Sequence, residues 1–111
     1  SSENSSSHNS DLKIIGLSNQ YLVSEPIEIQ VKVNDISFSC GDLYITIYTS
    51  GKSDVVTQGG FFNQCIENGT LFPINDKFSK IITVPGSYQI VADIVSNDLS
   101  NISTSGIFTV K

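Results

Sequence analysis

The sequence predicts an all-β domain, built as a two-sheet sandwich of about seven antiparallel strands in Greek-key order. Its apolar residues are mainly Ile and Val, with Phe and Tyr, and it contains no Met or Trp. These β-branched and aromatic side chains fit a pleated, half-buried sheet surface. The apolar residues recur with period two in short runs, and turn residues separate these runs about every 8 to 12 residues. This spacing is typical of a sandwich rather than of a helical fold.

The chain of 111 residues, of which 39% are hydrophobic, suits one domain with a sizeable core. Residues 1–10, SSENSSSHNS, contain no apolar side chain and are interpreted as a flexible Ser/Asn-rich linker. The sandwich is expected over residues 11–111. Neighbouring domains in a longer chain would fit this arrangement.

Seven segments carry the strand pattern. The clearest is 27–33, in which four β-branched residues alternate with Glu28, Gln30 and Lys32. The segment 63–76 is the least regular and leaves room for a brief strand at 71–74. The predicted strands are 12–17, 27–33, 43–49, 55–58 with an extension to 62 left open, 78–84, 87–95 and 102–110.

Four aromatic residues are candidates for a contact face. Alternation in 43–49 turns Tyr44 and Tyr48 outward, where they could bind a partner or stiffen the sheet by cross-strand packing. Phe61 and Phe62 follow two glycines, and each could be an exposed contact residue or pack in the core.

Cys40 and Cys65 are the only cysteines. We predict a disulfide between them, which indicates an oxidising compartment and an extracellular or cell-surface location; the alternative, two buried free thiols, would indicate a cytosolic protein. Three Asn-X-Ser/Thr sequons, at Asn4, Asn68 and Asn101, are candidate glycosylation sites and agree with the predicted extracellular or cell-surface location.

Two segments resemble known families. Residues 85–92, PGSYQIVA, resemble the turn and strand that carry the tyrosine corner of immunoglobulin-like domains, which implies that the Tyr88 hydroxyl bonds back to the main chain. Residues 21–27, YLVSEPI, resemble the start of macroglobulin-like domains and of immunoglobulin-like repeats in archaeal and bacterial cell-surface proteins. Trp is absent, and Ile90 stands where antibody-type domains have their second cysteine. The resemblance thus implies an immunoglobulin-like sandwich that is not of the antibody type.

The net charge of −5 and the absence of a basic cluster argue against nucleic acid and anionic membranes as partners, and no apolar run is long enough to span a membrane. The one histidine, His8, lies in the predicted linker, so we expect no catalytic residues and no enzyme. We also expect no cofactor and no metal site, apart from a weak calcium candidate formed by loop carboxylates at Asp35, Asp42 and Asp98.

These observations lead to an expected function. The domain is predicted to be a non-catalytic structural or adhesive module of a secreted or surface glycoprotein, whose partners are other protein domains or surface glycans. The alternatives are a dedicated ligand-binding module, for a glycan or a protein, and an accessory domain of a larger extracellular enzyme.

Overall fold

The computed structural model describes residues 12–34, 40–52, 54–65, 71–97 and 101–111. The predicted linker, Asp35, Asn68 and Asp98 lie outside the described residues. The strands are β1 (Leu12–Ile15), β2 (Gln20–Tyr21), β3 (Pro26–Val33), β4 (Cys40–Thr49), β5 (Val55–Cys65), β6 (Leu71–Phe72), β7 (Phe78–Ile81), β8 (Gly86–Ser96) and β9 (Asn101–Val110).

The strands form two sheets, so the predicted all-β, two-sheet sandwich is confirmed. In the four-stranded sheet, β3 pairs with β1 on one side, and with β6 and β7 in succession on the other. The five-stranded sheet has the order β2-β9-β8-β4-β5. Among the described residues no helix is long and apolar enough to cross a membrane.

The expectation of seven antiparallel strands is wrong in two respects: the described residues form nine strands, and β2 pairs with β9 in parallel. The chain leaves β1 at Gly16, whose φ of 94° is a left-handed conformation that glycine adopts without strain. It then crosses to the other sheet, where Lys111 N–H donates to the Tyr21 carbonyl and Thr109 N–H to that of Asn19. A two-residue strand has no period of its own, so the sequence pattern contained no sign of it.

The core lies between the sheets and follows the predicted alternation. On β3, Ile27, Ile29, Val31 and Val33 are all buried, and the intervening residues are not. The inward residues of the five-stranded sheet include Leu43, Ile45 and Ile47 on β4, and Tyr88, Ile90, Ala92 and Ile94 on β8.

Three of the buried rings form an aromatic triad at one end of the core: Tyr21, Phe108 and Tyr88. The Phe108 ring meets Tyr21 edge to face and stacks on Tyr88, with ring centroids 5.6 Å apart in both cases. Ser18 N–H donates to the Tyr21 hydroxyl at 2.8 Å, so the polar end of this ring is also bonded. The triad thereby joins β2, β9 and β8 through side chains as well as through the main chain.

Candidate functional site

The outer side of the five-stranded sheet is a surface that no described element covers. Cross-strand register places Tyr44 opposite Asp93, and Asp93 opposite Ser103, so side chains of three strands form continuous rows. We call this surface the outer face and define it by Asp42, Tyr44, Thr46, Tyr48, Val55, Gln58, Phe62, Gln89, Val91, Asp93, Val95, Asn101, Ser103, Ser105 and Ile107.

An aromatic pair lies at the β5 side of the outer face. Phe62 is 58% exposed, and its ring meets Tyr44 edge to face at a centroid distance of 5.8 Å. The ring lies over Gly60, where a Cβ would stand 3.0 Å from its outermost carbon atom. Gly60 therefore provides the space that lets Phe62 lie flat against the strand and reach Tyr44.

The predicted contact residues are thus divided between the two sides of the sheet. Tyr44, Tyr48 and Phe62 lie on the outer face, whereas Phe61 pairs in register with Leu43 and packs against the core. The neighbouring Gly59 makes room inside the sandwich, because a Cβ there would stand 3.1 Å from the Phe78 ring of β7. The two glycines therefore make room for rings on opposite sides of one strand.

Asp42 takes part in a β-bulge on the outer face. Its Oδ1 accepts a hydrogen bond of 2.9 Å from the N–H of Asn63, a residue with φ of 56°, where the β4–β5 register shifts. This use of Asp42 is structural. The other calcium candidates, Asp35 and Asp98, lie outside the described residues, and within the described ranges no three His, Cys, Asp or Glu side chains are grouped to hold a metal ion.

The disulfide between Cys40 and Cys65 is present, as the sequence predicted. It joins the first residue of β4 to the last residue of β5, and these two residues are direct cross-strand partners. Beside it, the Gln64 side chain donates to the Phe62 carbonyl and accepts from Ile74 N–H at 2.7 Å. The bridge therefore fixes one corner of the five-stranded sheet, next to the aromatic pair.

Two further candidates have defined places. Asn101, the one sequon asparagine among the described residues, is exposed at the start of β9, and its glycosylation stays a prediction. Tyr88 is buried at the start of β8, and its hydroxyl donates to the carbonyl of Val84, four residues earlier. This is the contact expected of a tyrosine corner.

Replacing Tyr88 with Phe is expected to lower the free energy of unfolding by about 1 kcal/mol, because the Val84 carbonyl loses its donor while the ring stays in the triad. Urea denaturation measures this loss. Tyr44→Phe, in the same sheet, is the matched removal of a hydroxyl from the outer face, and it keeps the ring contact with Phe62. A Tyr88→Phe variant as stable as the parent would contradict a stabilising role for this bond.

A second apolar surface opens between the edge strands of the two sheets. It is a cleft of about 500 Å³, lined by Thr49, Val56, Thr57, Lys80, Ile81, Ile82, Thr83, Val84 and Tyr88. Val56, Ile81 and Val84 are exposed there because no described strand closes the sandwich between β5 and β7. The cleft was not predicted, because its lining comes from four separate segments, at 49, 56–57, 80–84 and 88.

The outer face combines carboxylates and exposed apolar side chains, and it has no basic side chain. Its two charged residues are Asp42 and Asp93, and it has no Lys, Arg or Glu. The exposed apolar side chains Val55, Phe62 and Ile107 project from it. Sequence alternation identified Tyr44 and Tyr48, but the positions on β5 and β9 could be added only once the register was known.

No protein-family model matches the chain, and no curated protein matches its sequence. Solved structures do match its fold. The soluble domain of PmoD from Methylocystis sp. ATCC 49242 (Rockwell) has a TM-score of 0.58 and 8% identity, over 90% of this chain and 89% of that one. The superoxide reductase (neelaredoxin) from Ignicoccus hospitalis has a TM-score of 0.55 and 14% identity, over 90% of this chain and 80% of that one. A variant of that reductase has a TM-score of 0.56 and 13% identity, over 98% of this chain and 89% of that one.

These neighbours correct the prediction that the chain is not an enzyme. That prediction took a sandwich without a catalytic arrangement in its sequence as evidence against catalysis, yet superoxide reductases are enzymes with this fold. At 14% identity or less the likeness shows the fold alone.

The described residues do not form a ligand set of the kind that the activity named for the superoxide reductases would require. One-electron chemistry on oxygen species depends on a cofactor or metal held by protein ligands. Both cysteines are joined in the disulfide, and the described residues bring no set of His, Cys, Asp or Glu ligands together. We therefore derive no redox step for this chain.

Proposed function

We propose that this chain is an immunoglobulin-like adhesive module of an extracellular or cell-surface protein, and that it binds a partner protein through the outer face. The observation that carries the proposal is an uncovered sheet face on which the exposed Phe62 ring packs against the half-buried Tyr44, with no Lys, Arg or Glu on the same face. In an adhesive role, this surface is the part of the domain that contacts the partner.

The composition of the outer face favours a protein as the partner. Protein interfaces are enriched in aromatic residues, and their centres are depleted of charged side chains. The outer face has no Lys, Arg or Glu, and its two carboxylates, Asp42 and Asp93, are its only charged residues. Tyr44 and Phe62 pack against each other before any partner arrives, so their ordering costs little on binding.

The disulfide supports the extracellular part of the proposal. Such bonds form and persist in oxidising compartments and are rare in reducing ones. The hydrogen bond from Tyr88 to Val84 supports the immunoglobulin-like part, because it reproduces the tyrosine corner that the sequence resemblance implied.

Changing both rings of the aromatic pair, as Tyr44→Ser with Phe62→Ser, is expected to weaken attachment at least tenfold. Truncated aromatic anchors at the centre of an interface each cost about 1 to 2 kcal/mol or more. The measurement is binding of the fluorescently labelled 111-residue chain to intact cells of its source organism, titrated to obtain an apparent Kd.

Leu22→Ser is the matched control, because Leu22 is 57% exposed, much like Phe62, but lies in the loop after β2. Protease treatment of the cells should abolish binding, whereas periodate oxidation of surface sugars should not. Equal loss in the control and the double variant would contradict the proposed face, and loss after periodate alone would show a glycan partner. Both variants must keep the parent's melting temperature.

A further inference from the structure

The edges of the two sheets differ in their protection against pairing with another strand. Native proteins protect sheet edges by short strands, charged residues, proline or bulges. Here β1 has four residues and contains Lys13, β7 has four and contains Lys80, and β2 and β6 have two each. These edges follow the rule.

β5 departs from it. It has eleven residues, VVTQGGFFNQC, with no charge and no proline, and among the described strands it pairs with β4 alone. A strand in this position directs the N–H and C=O groups of alternate residues away from its one partner. β5 is therefore the edge of the described sandwich that is most open to another strand.

Two irregularities limit the part of β5 that is available. The β4–β5 register shifts between Gly41 and Leu43, and again between Ile47 and Tyr48. At the C-terminal end the Gln64 side chain also bridges the Phe62 carbonyl and Ile74 N–H. The regular stretch between these points is residues 57–61, Thr-Gln-Gly-Gly-Phe, which is five residues long.

We propose that residues 57–61 of β5 pair antiparallel with the same residues of a second copy of this chain, forming a two-fold symmetric dimer with one continuous ten-stranded sheet. Antiparallel pairing centred on Gly59 places Thr57 opposite Phe61 of the copy and Gln58 opposite Gly60. Each copy contributes the same β5 edge, so the contact is self-complementary. Because the pairing occupies the β5 edge of both copies, the assembly closes after two copies.

Charge selects the edge along which two copies can meet. Each copy carries a net charge of −5, which opposes association in general, so two copies approach with least repulsion along a stretch where neither has a charge. β5 is such a stretch on both partners at once. The pairing leaves the outer face open, so this proposal does not depend on the proposed function.

The test is sedimentation equilibrium of the natively produced 111-residue chain between 1 and ~500 μM. We expect a monomer–dimer equilibrium and no larger species. Gln58→Lys should raise the dissociation constant about tenfold, because symmetry brings two like charges to diagonal cross-strand positions. An equimolar mixture of Gln58→Lys and Gln58→Glu should recover most of the loss, which a merely misfolded variant could not do.

Gln89→Lys is the matched control, since it makes the same change on the outer face of the central strand β8, and it should leave the dimer intact. Amides of residues 57–61 should gain protection from hydrogen exchange as concentration rises. A chain that is monomeric throughout the range would overturn the proposal. So would a dimer that Gln89→Lys weakens as much as Gln58→Lys, because that result would place the interface on the outer face.

Discussion

Replacing Phe108 with alanine is expected to lower the free energy of unfolding by about 4 kcal/mol, which is among the largest single effects in this domain. Truncating a buried phenylalanine costs about 3 to 5 kcal/mol in lost transfer free energy and residual cavity. Phe108 is only 2% exposed, and it makes both ring contacts of the aromatic triad. Each aromatic pair adds about 0.5 to 1.5 kcal/mol beyond the area it buries. Urea denaturation followed by circular dichroism measures the loss.

The expected loss has a spatial signature. Tyr21 is held in the sandwich by its ring contact with Phe108 and by the parallel pairing of β2 with β9. Without the ring, hydrogen exchange should increase first at residues 20–23. Phe108→Leu fills much of the volume and should cost less than about 2 kcal/mol. Ile107→Ala, next along the strand but 75% exposed, should change stability by less than about 0.5 kcal/mol. If Phe108→Ala lowered the free energy of unfolding by less than Phe108→Leu does, that result would show that the triad does not hold this end of the core.

The parts of the fold that the sequence predicted are those governed by a local period. Strand β3 was evident because Ile27, Ile29, Val31 and Val33 alternate with polar residues and the strand is buried on one face. Strand β2 was missed because its buried position depends on a contact between Tyr21 and Phe108, which are far apart in the chain. No window of sequence around Tyr21 contains that information.

The sequence left the extension of β5 from residue 58 to 62 open, and missed residues 63–65, for a related reason. Gly59 and Gly60 are strong turn signals when only neighbouring residues are considered. In the structure each glycine makes room for a ring, Phe78 inside the sandwich and Phe62 outside it. Phe78 comes from the opposite sheet, so the need for glycine at position 59 is tertiary. The same limit applies to the outer face, where two tyrosines were predictable and the pairing of Tyr44 with Phe62 was not.

The prediction about catalysis failed at a different step. It concluded from the residues of this chain that the domain is not an enzyme, whereas solved structures with this fold include superoxide reductases. A sandwich presents loops and sheet faces on which many unrelated sites can be built. Functional inference for this chain must therefore start from its own surfaces, the outer face and the β5 edge.

Removing the disulfide is expected to lower the free energy of unfolding by about 3.5 kcal/mol, on the chain-entropy estimate for its sequence separation of 25 residues. For a domain near 100 residues this corresponds to a melting temperature at least about 12 °C lower. The variant is Cys40→Ala with Cys65→Ala, compared with the parent in the presence and absence of dithiothreitol. The slope of the free energy against urea should rise, because the unlinked chain exposes more surface on unfolding.

The position of the bridge determines where the loosening begins. Cys40 and Cys65 close the ladder at the end where the bulge at Asp42 and Asn63 interrupts it, so two cross-strand pairs, Cys40–Cys65 and Gly41–Gln64, are left to hold this end when the bond is removed. Amides of residues 62–65 should therefore exchange faster than those of 57–61, which lie within the regular stretch. Reduced parent and double alanine variant should agree, since both lack the same link. Equal melting temperatures with and without reductant would contradict the estimate. A loss confined to residues 62–65, with little change in global stability, would mean that β4 and β8 carry the sheet without the bridge and that its role is to hold Phe62 against Tyr44.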